Sequence, residues 1–163
     1  MSKEQVSIKE RLRSYLPMKF EMENQLERLI RLKNEEEIPA MRESSGAKQS
    51  SSSEGRMEKA IIRRMEYEAS VMPQIEAAQK EMEQIEAAIS AVRDPMEREV
   101  LRLRYVDGEN CRPMMWRDVA VKLFGDDDER HILATYRLHG RALVNISKEQ
   151  LFAEEVNHES DTV

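Results

Sequence analysis

The chain has 163 residues and a formal net charge of -6; 40% of its residues are hydrophobic, 36% charged and only 5% aromatic. That length holds one modest domain, or a small domain with a helical extension, and the acidic balance argues against indiscriminate binding to nucleic acid while leaving room for a local basic surface. The single cysteine, Cys111, excludes an intrachain disulfide and fits a reducing, cytoplasmic setting.

Eleven Met, many Glu, Lys, Arg, Leu and Ala, and only five Gly and five Pro point to an all-α protein. Unbranched side chains lose little freedom in a helix. No segment shows sustained strand alternation between turn residues. The N-terminus MSKEQVSIKERLRSYL lacks a signal-peptide core, and no apolar run approaches the roughly 20 residues needed to span a membrane.

The first predicted element lies in 1–42. Ile8, Leu12, Tyr15, Met18, Met22, Leu26, Leu29 and Leu32 recur mostly three or four apart over 6–38, which is one face of an amphipathic helix. Pro17 either kinks this helix or marks the start of its main part, and Pro39 predicts a stop near Ile38. The stretch 43–56, ESSGAKQSSSSEGR, is too poor in apolar surface to offset its ordering entropy and reads as a mobile linker. Over 57–93 a second helix carries a heptad pattern, with Ile75, Met82 and Ile89 at a and Ala78, Ile85 and Val92 at d. Pro73 is expected to interrupt it. Two amphipathic helices joined by a soft linker predict an N-terminal antiparallel helical hairpin or coiled coil, packed on itself or on a second copy.

Residues 94–151 read as three helices. Asp94 can cap the first and Pro95 suits its first turn. Asp107-Gly108 ends it, glycine being expected in a left-handed stop. After the loop ENCRPM, a short helix over 115–124 has Trp116, Val119, Ala120 and Leu123 on one inward face, and Gly125 permits a sharp turn. The third helix begins within 126–129 and continues through Ile146. Residues 152–163 are an acidic tail with little to bury.

The third helix changes sign along its length. In GDDDERHILATYRLHGRALVNI, residues 125–146, four carboxylates run from Asp126 to Glu129, and no acid follows until Glu149. Arg130, Arg137 and Arg141 fall in the gap, with His131 and His139 beside them. Early acids favour the positive end of the helix dipole and supply caps. The rest of the helix is free of acids, as a helix pressed against DNA phosphates must be. A short helix, a turn with Gly and a longer helix match a helix-turn-helix, whose last helix enters the major groove. The expected DNA contacts are Glu129, Arg130, His131, Thr135, Tyr136, Arg137 and Arg141. Glu129 suits either capping or acceptance from a cytosine amino group, and the two histidines suit polar contacts.

The runs EREVLRLRYVDG (97–108) and WRDVAVKLFG (116–125), with RAL at 141–143, resemble the C-terminal part of bacteriophage regulators of the RinA/ArpU type. Those are similar in turn to the promoter-reading region 4 of sigma factors. The resemblance covers about a third of the chain. It implies a phage or prophage protein in the bacterial cytoplasm that binds double-stranded DNA upstream of late genes and regulates their transcription, as an activator or a sigma-like subunit in contact with RNA polymerase. Dimerisation through the N-terminal helices would pair two half-sites. A small terminase subunit combines the same parts and is the alternative; a coiled-coil interaction protein without DNA binding is a third reading.

Nothing suggests an enzyme. His131, His139 and His158 do not have the spacing of a zinc site, Cys111 has no evident base, and no phosphate-binding or dinucleotide glycine motif occurs. No catalytic residue, metal or cofactor is expected.

Overall fold

A computed structural model describes residues 3–43 and 51–153. Among these the protein is mostly helical, with no strand and one isolated bridge between Glu109 and Arg112. No helix among them is long and apolar enough to cross a membrane. The elements are α1 (Lys3–Arg13), α2 (Tyr15–Glu43), α3 (Ser51–Ser90), α4 (Pro95–Leu101) with a π-helical turn (Arg102–Val106), α5 (Trp116–Phe124), α6 (Glu129–Asn145) and α7 (Lys148–Leu151). They form two compact units, Met1–Phe20 with Lys80–Val163, and Glu21–Gln79. The division cuts across the sequence segments, because the N-terminal helix joins the C-terminal helices in one unit.

Prolines shape the long helices less than expected. Pro17 lies in the first turn of α2, where its missing N–H matters little. The Arg13 carbonyl loses its helical donor there, and the chain breaks at Ser14, whose hydroxyl donates to the Arg11 carbonyl at 2.6 Å. Pro39 does not end α2, which runs to Glu43. Pro73 does not interrupt α3. Pro73 and Ala69, whose carbonyl it leaves without a donor, are both exposed, so water can serve that oxygen. Gln74 Nε2 also donates to the neighbouring Ser70 carbonyl at 3.2 Å. The linker expected over 43–56 is shorter, since α3 begins at Ser51; its centre, 44–50, and the tail from 154 on lie outside the described residues.

In Glu21–Gln79, α2 and α3 run in opposite directions. Gln25 meets Gln74 at 2.9 Å, and Glu36 meets Arg64 at 2.7 Å. Among the residues whose burial is described, the contact surface is narrow, with Leu29, Leu32, Val71 and Ile75 as its buried apolar residues. Around them the Arg28 guanidinium sits 5.0 Å from the centre of the Tyr67 ring, and Arg64 bridges Glu36 and Glu68.

The other unit has a true core. Leu12, Ile85, Val100, Leu101, Tyr105, Val119, Ala120 and Ala142 are fully buried, and a Leu or Ile buried in this way stabilises a fold by about 1.5–3 kcal/mol. Arg11 fastens α1 into this unit, reaching the Leu151 carbonyl at 3.1 Å, Glu81 at 2.8 Å and Gln84 at 2.9 Å.

The cap of α4 is as predicted. Asp94 Oδ1 accepts from the amides of Met96 (2.8 Å) and Glu97 (3.1 Å), with Pro95 behind it. The end of that helix is not as predicted. It widens into the π-helical turn, and Gly108 is not left-handed. A Cβ at Gly108 would stand 2.6 Å from Leu16 Cδ1 and closer still to the Arg112 carbonyl oxygen, so glycine is needed there for close approach. The left-handed residues are Asn110 and Cys111, at the tip of the turn closed by the Arg112 amide on the Glu109 carbonyl.

Candidate nucleic-acid interface

The site is built on α5, the turn 125–128 and α6. Trp116 opens α5, and Val119 and Ala120 carry it into the core. Gly125 ends it in the left-handed conformation, φ +89°, at the sharp turn that the sequence predicts. Two of the turn's acids are then consumed locally. Asp127 takes Arg117 of α5 at 3.0 Å. Asp126 accepts from the Asp128 amide at 3.1 Å and pairs with the His131 ring, which together hold its carboxyl below the usual range. Asp128 occupies the N-cap of α6 without a side-chain capping bond, so the expected carboxylate cap is not formed.

From Glu129 onward α6 has two faces. The inner one carries Thr135, Leu138, His139, Ala142 and Leu143, all buried. The outer one carries Glu129, Arg130, Leu133, Tyr136, Arg137, Gly140, Arg141 and Val144, all exposed. Leu133 is 49% and Val144 67% exposed, high for apolar side chains in the middle of a folded unit. A Cβ on Gly140 would meet nothing within 4 Å. That glycine makes the outer face low at its centre.

Beside this face lies an open groove of about 900 Å³, lined by Met96, Phe124, Ala134, Arg137, Arg141 and Val144 among others. Glu97 of α4 is buried; it accepts from Asn145 Nδ2 at 2.7 Å and stands 3.7 Å from Arg141 Nε, both residues of the groove lining. The same carboxylate therefore orients Arg141 while leaving it 63% exposed.

Of the seven residues expected from the sequence, Glu129, Arg130, Tyr136, Arg137 and Arg141 share the outer face. Thr135 is a correction. It is fully buried, and its hydroxyl donates to the His131 carbonyl at 2.8 Å, so it cannot reach a ligand. His131 lies at the margin, stacked on Phe124 with ring centroids 4.9 Å apart and paired with Asp126; its ring braces the turn. His139 is also corrected. It is buried, 2.7 Å from the Tyr105 hydroxyl and edge-on to Trp116. Burial, with Lys9, Arg104 and Arg13 nearby, pulls it down to about 4, so it is neutral at pH 7. Burial likewise pushes Tyr105 up to about 12.

The sequence reading passed over Leu133, Gly140 and Val144. The signal was present: Thr135, Leu138 and Ala142, spaced three and four, define the inner stripe and leave those three on the opposite side. No protein-family model, no curated protein and no solved structure matches this chain.

Proposed function

We propose that this chain is a sequence-specific DNA-binding protein in which α5, the Gly125 turn and α6 act as a helix-turn-helix, with α6 in the major groove. The observation that carries the reading is the outer face of α6: Arg130, Arg137 and Arg141 around an open glycine and two exposed aliphatic side chains, with no acid beyond Glu129, in a chain of net charge -6. Arginine reads guanine and contacts phosphate, and aliphatic side chains suit the thymine methyl group. The low surface at Gly140 suits close approach of a duplex edge.

The finer reading is a phage or prophage regulator of the RinA/ArpU type, acting in the bacterial cytoplasm on late-gene transcription, in contact with RNA polymerase. It rests on the resemblance of 97–108, 116–125 and 141–143. Self-association through the N-terminal helical hairpin is part of it. The exposed Ile30, Ile62 and Met65 of Glu21–Gln79 support that role. The chain is read as a binder, not an enzyme, without a cofactor.

The test is binding to the sequence that the protein itself selects from random duplexes. Arg137→Ala is expected to weaken that complex by about 1–3 kcal/mol while the fold, read by circular dichroism, is unchanged. Unchanged affinity in a folded variant would remove Arg137 from the interface.

A further inference from the structure

Several arginines of this protein face a carboxylate: Arg31 meets Glu27, Arg64 meets Glu36 and Glu68, Arg117 meets Asp127, and Arg141 meets Glu97. Lys9, Arg13 and Arg104 are among the cations that do not follow that pattern. Lys9 and Arg13 lie one turn apart on α1, so they share a face of that helix. Arg104, from the π-helical turn, lies with its guanidinium 4.4 Å from the centre of the Trp116 ring. Its Nη1 donates to the Met114 carbonyl, and its buried Nε has no hydrogen-bond partner among the described residues. Among those residues no carboxylate forms an ion pair with Lys9, Arg13 or Arg104.

The three charges feel one another. Burial, then Arg13 and Arg104, holds Lys9 below its ordinary range, and burial with Arg13 contributes to the same effect on Arg104. Like charges gathered this way oppose folding. Acids are the more numerous charge in the chain, 32 against 26 bases, so a nearby acid was an available remedy. The arrangement has a location as well. Trp116, under Arg104, is 5.0 Å from Tyr136, and Tyr136 is an exposed member of the outer face of α6. The cations therefore continue that face on the side of α1. Arg11, between Lys9 and Arg13 in sequence, is occupied by Glu81, Gln84 and the Leu151 carbonyl. It fixes the helix that presents them.

We infer that Lys9, Arg13 and Arg104 form a phosphate clamp, which holds the sugar–phosphate backbone of the duplex beside Tyr136 while α6 reads the bases. The inference rests on the DNA-binding reading of α6. It makes α1, the most N-terminal helix, part of the DNA-binding surface. The clamp carries no sequence information: phosphate contacts set register and affinity, and base contacts set preference.

The experiment uses the full chain, a fluorescein-labelled mixed-sequence duplex of about 30 base pairs, and NaCl from about 50 to 200 mM. Each phosphate contact adds about 0.9 to the slope of log K against log salt. The double variant Lys9→Gln/Arg13→Gln, both changes on the surface of α1, is expected to bind with a slope shallower by about 1.8 and an unchanged circular dichroism spectrum. The control variant Arg56→Gln/Lys59→Gln removes the same charge from the other unit and is expected to keep the parent slope. Equal slopes for the parent and Lys9→Gln/Arg13→Gln would overturn the clamp and leave the reading of α6 standing. Equal losses in both double variants would also overturn it, by showing only an effect of total charge. A parent that binds no duplex at the lowest salt would overturn the clamp and the DNA-binding reading together.

Discussion

In the unit formed by Met1–Phe20 and Lys80–Val163, helix after helix contributes side chains that water does not reach: Leu12 from α1, Ile85 from α3, Val100 and Leu101 from α4, Val119 from α5, Ala142 from α6 and Leu151 from α7. In Glu21–Gln79 two helices share Leu29, Leu32, Val71 and Ile75, and much of the remaining specificity comes from charges and amides at the surface. Apolar burial is worth far more per residue than exposed ion pairs. The first unit therefore has the rigidity that a helix must have to present arginines at fixed positions. The second leaves Ile30, Ile62 and Met65 in water.

The contrast can be tested by how much each unit loses when it is cut. Leu101→Ala, at a fully buried position, is expected to lower the free energy of unfolding by about 3–4 kcal/mol. Leu32→Ala, at the edge of the thinner contact, is expected to lose about 2 kcal/mol. Urea denaturation measures both. Equal losses would mean that the hairpin is packed as firmly as the core.

Acid should strike the first unit. His139 is held down to about 4 in the folded chain, against about 6.5 when unfolded. Between those values the unfolded chain binds the proton and the folded chain does not. Stability is therefore intact above pH 6.5 and is lost as pH falls toward 4, by about 3 kcal/mol in all. Urea midpoints across that range should follow this course, and His139→Gln should flatten it. A slope unchanged by the substitution would assign the effect to other groups.

Smaller effects sharpen the account of the outer face. Gly140→Ala is expected to raise stability by up to about 1 kcal/mol, because alanine favours the helix and its methyl meets open space. The same change should weaken DNA binding if a duplex edge approaches the helix there. A variant that gains stability with undiminished affinity would separate that glycine from the interface. The smallest effect belongs to the surface pairs. Glu36→Gln breaks one arm of the Arg64 bridge, and its effect on the melting temperature should vanish in about 1 M salt, where the Debye length is near 3 Å.

Local chemistry was legible in the sequence, and tertiary chemistry was not. Asp94-Pro95 announces a helix start because cap and first-turn proline act within three residues, and Gly125 announces a turn for the same reason. The prolines at 39 and 73 misled, since a long helix tolerates one missing hydrogen bond, at Pro73 with solvent beside it. Gly108 was expected to be left-handed, yet what requires glycine is close approach, by the Arg112 carbonyl oxygen across the turn and by Leu16 far away in the chain. His139 read as a surface ligand because its hydrogen-bonding partner, Tyr105, comes from another helix. The outer face of α6 was half visible: its arginines stand out against the missing acids, whereas Leu133, Gly140 and Val144 emerge only when the buried stripe is traced. The grouping of Lys9 and Arg13 with Arg104 depends on α1 packing into the C-terminal unit, which no local pattern encodes.

The most direct test of the central claim, that the outer face of α6 reads DNA, is recovery and sequencing of fragmented phage and prophage-bearing bacterial DNA bound by the full chain, beside Arg137→Ala, at about 50 and 200 mM salt. The account predicts one enriched sequence that survives the higher salt with the parent protein and is lost with the variant. Absence of enrichment at both salts would contradict it.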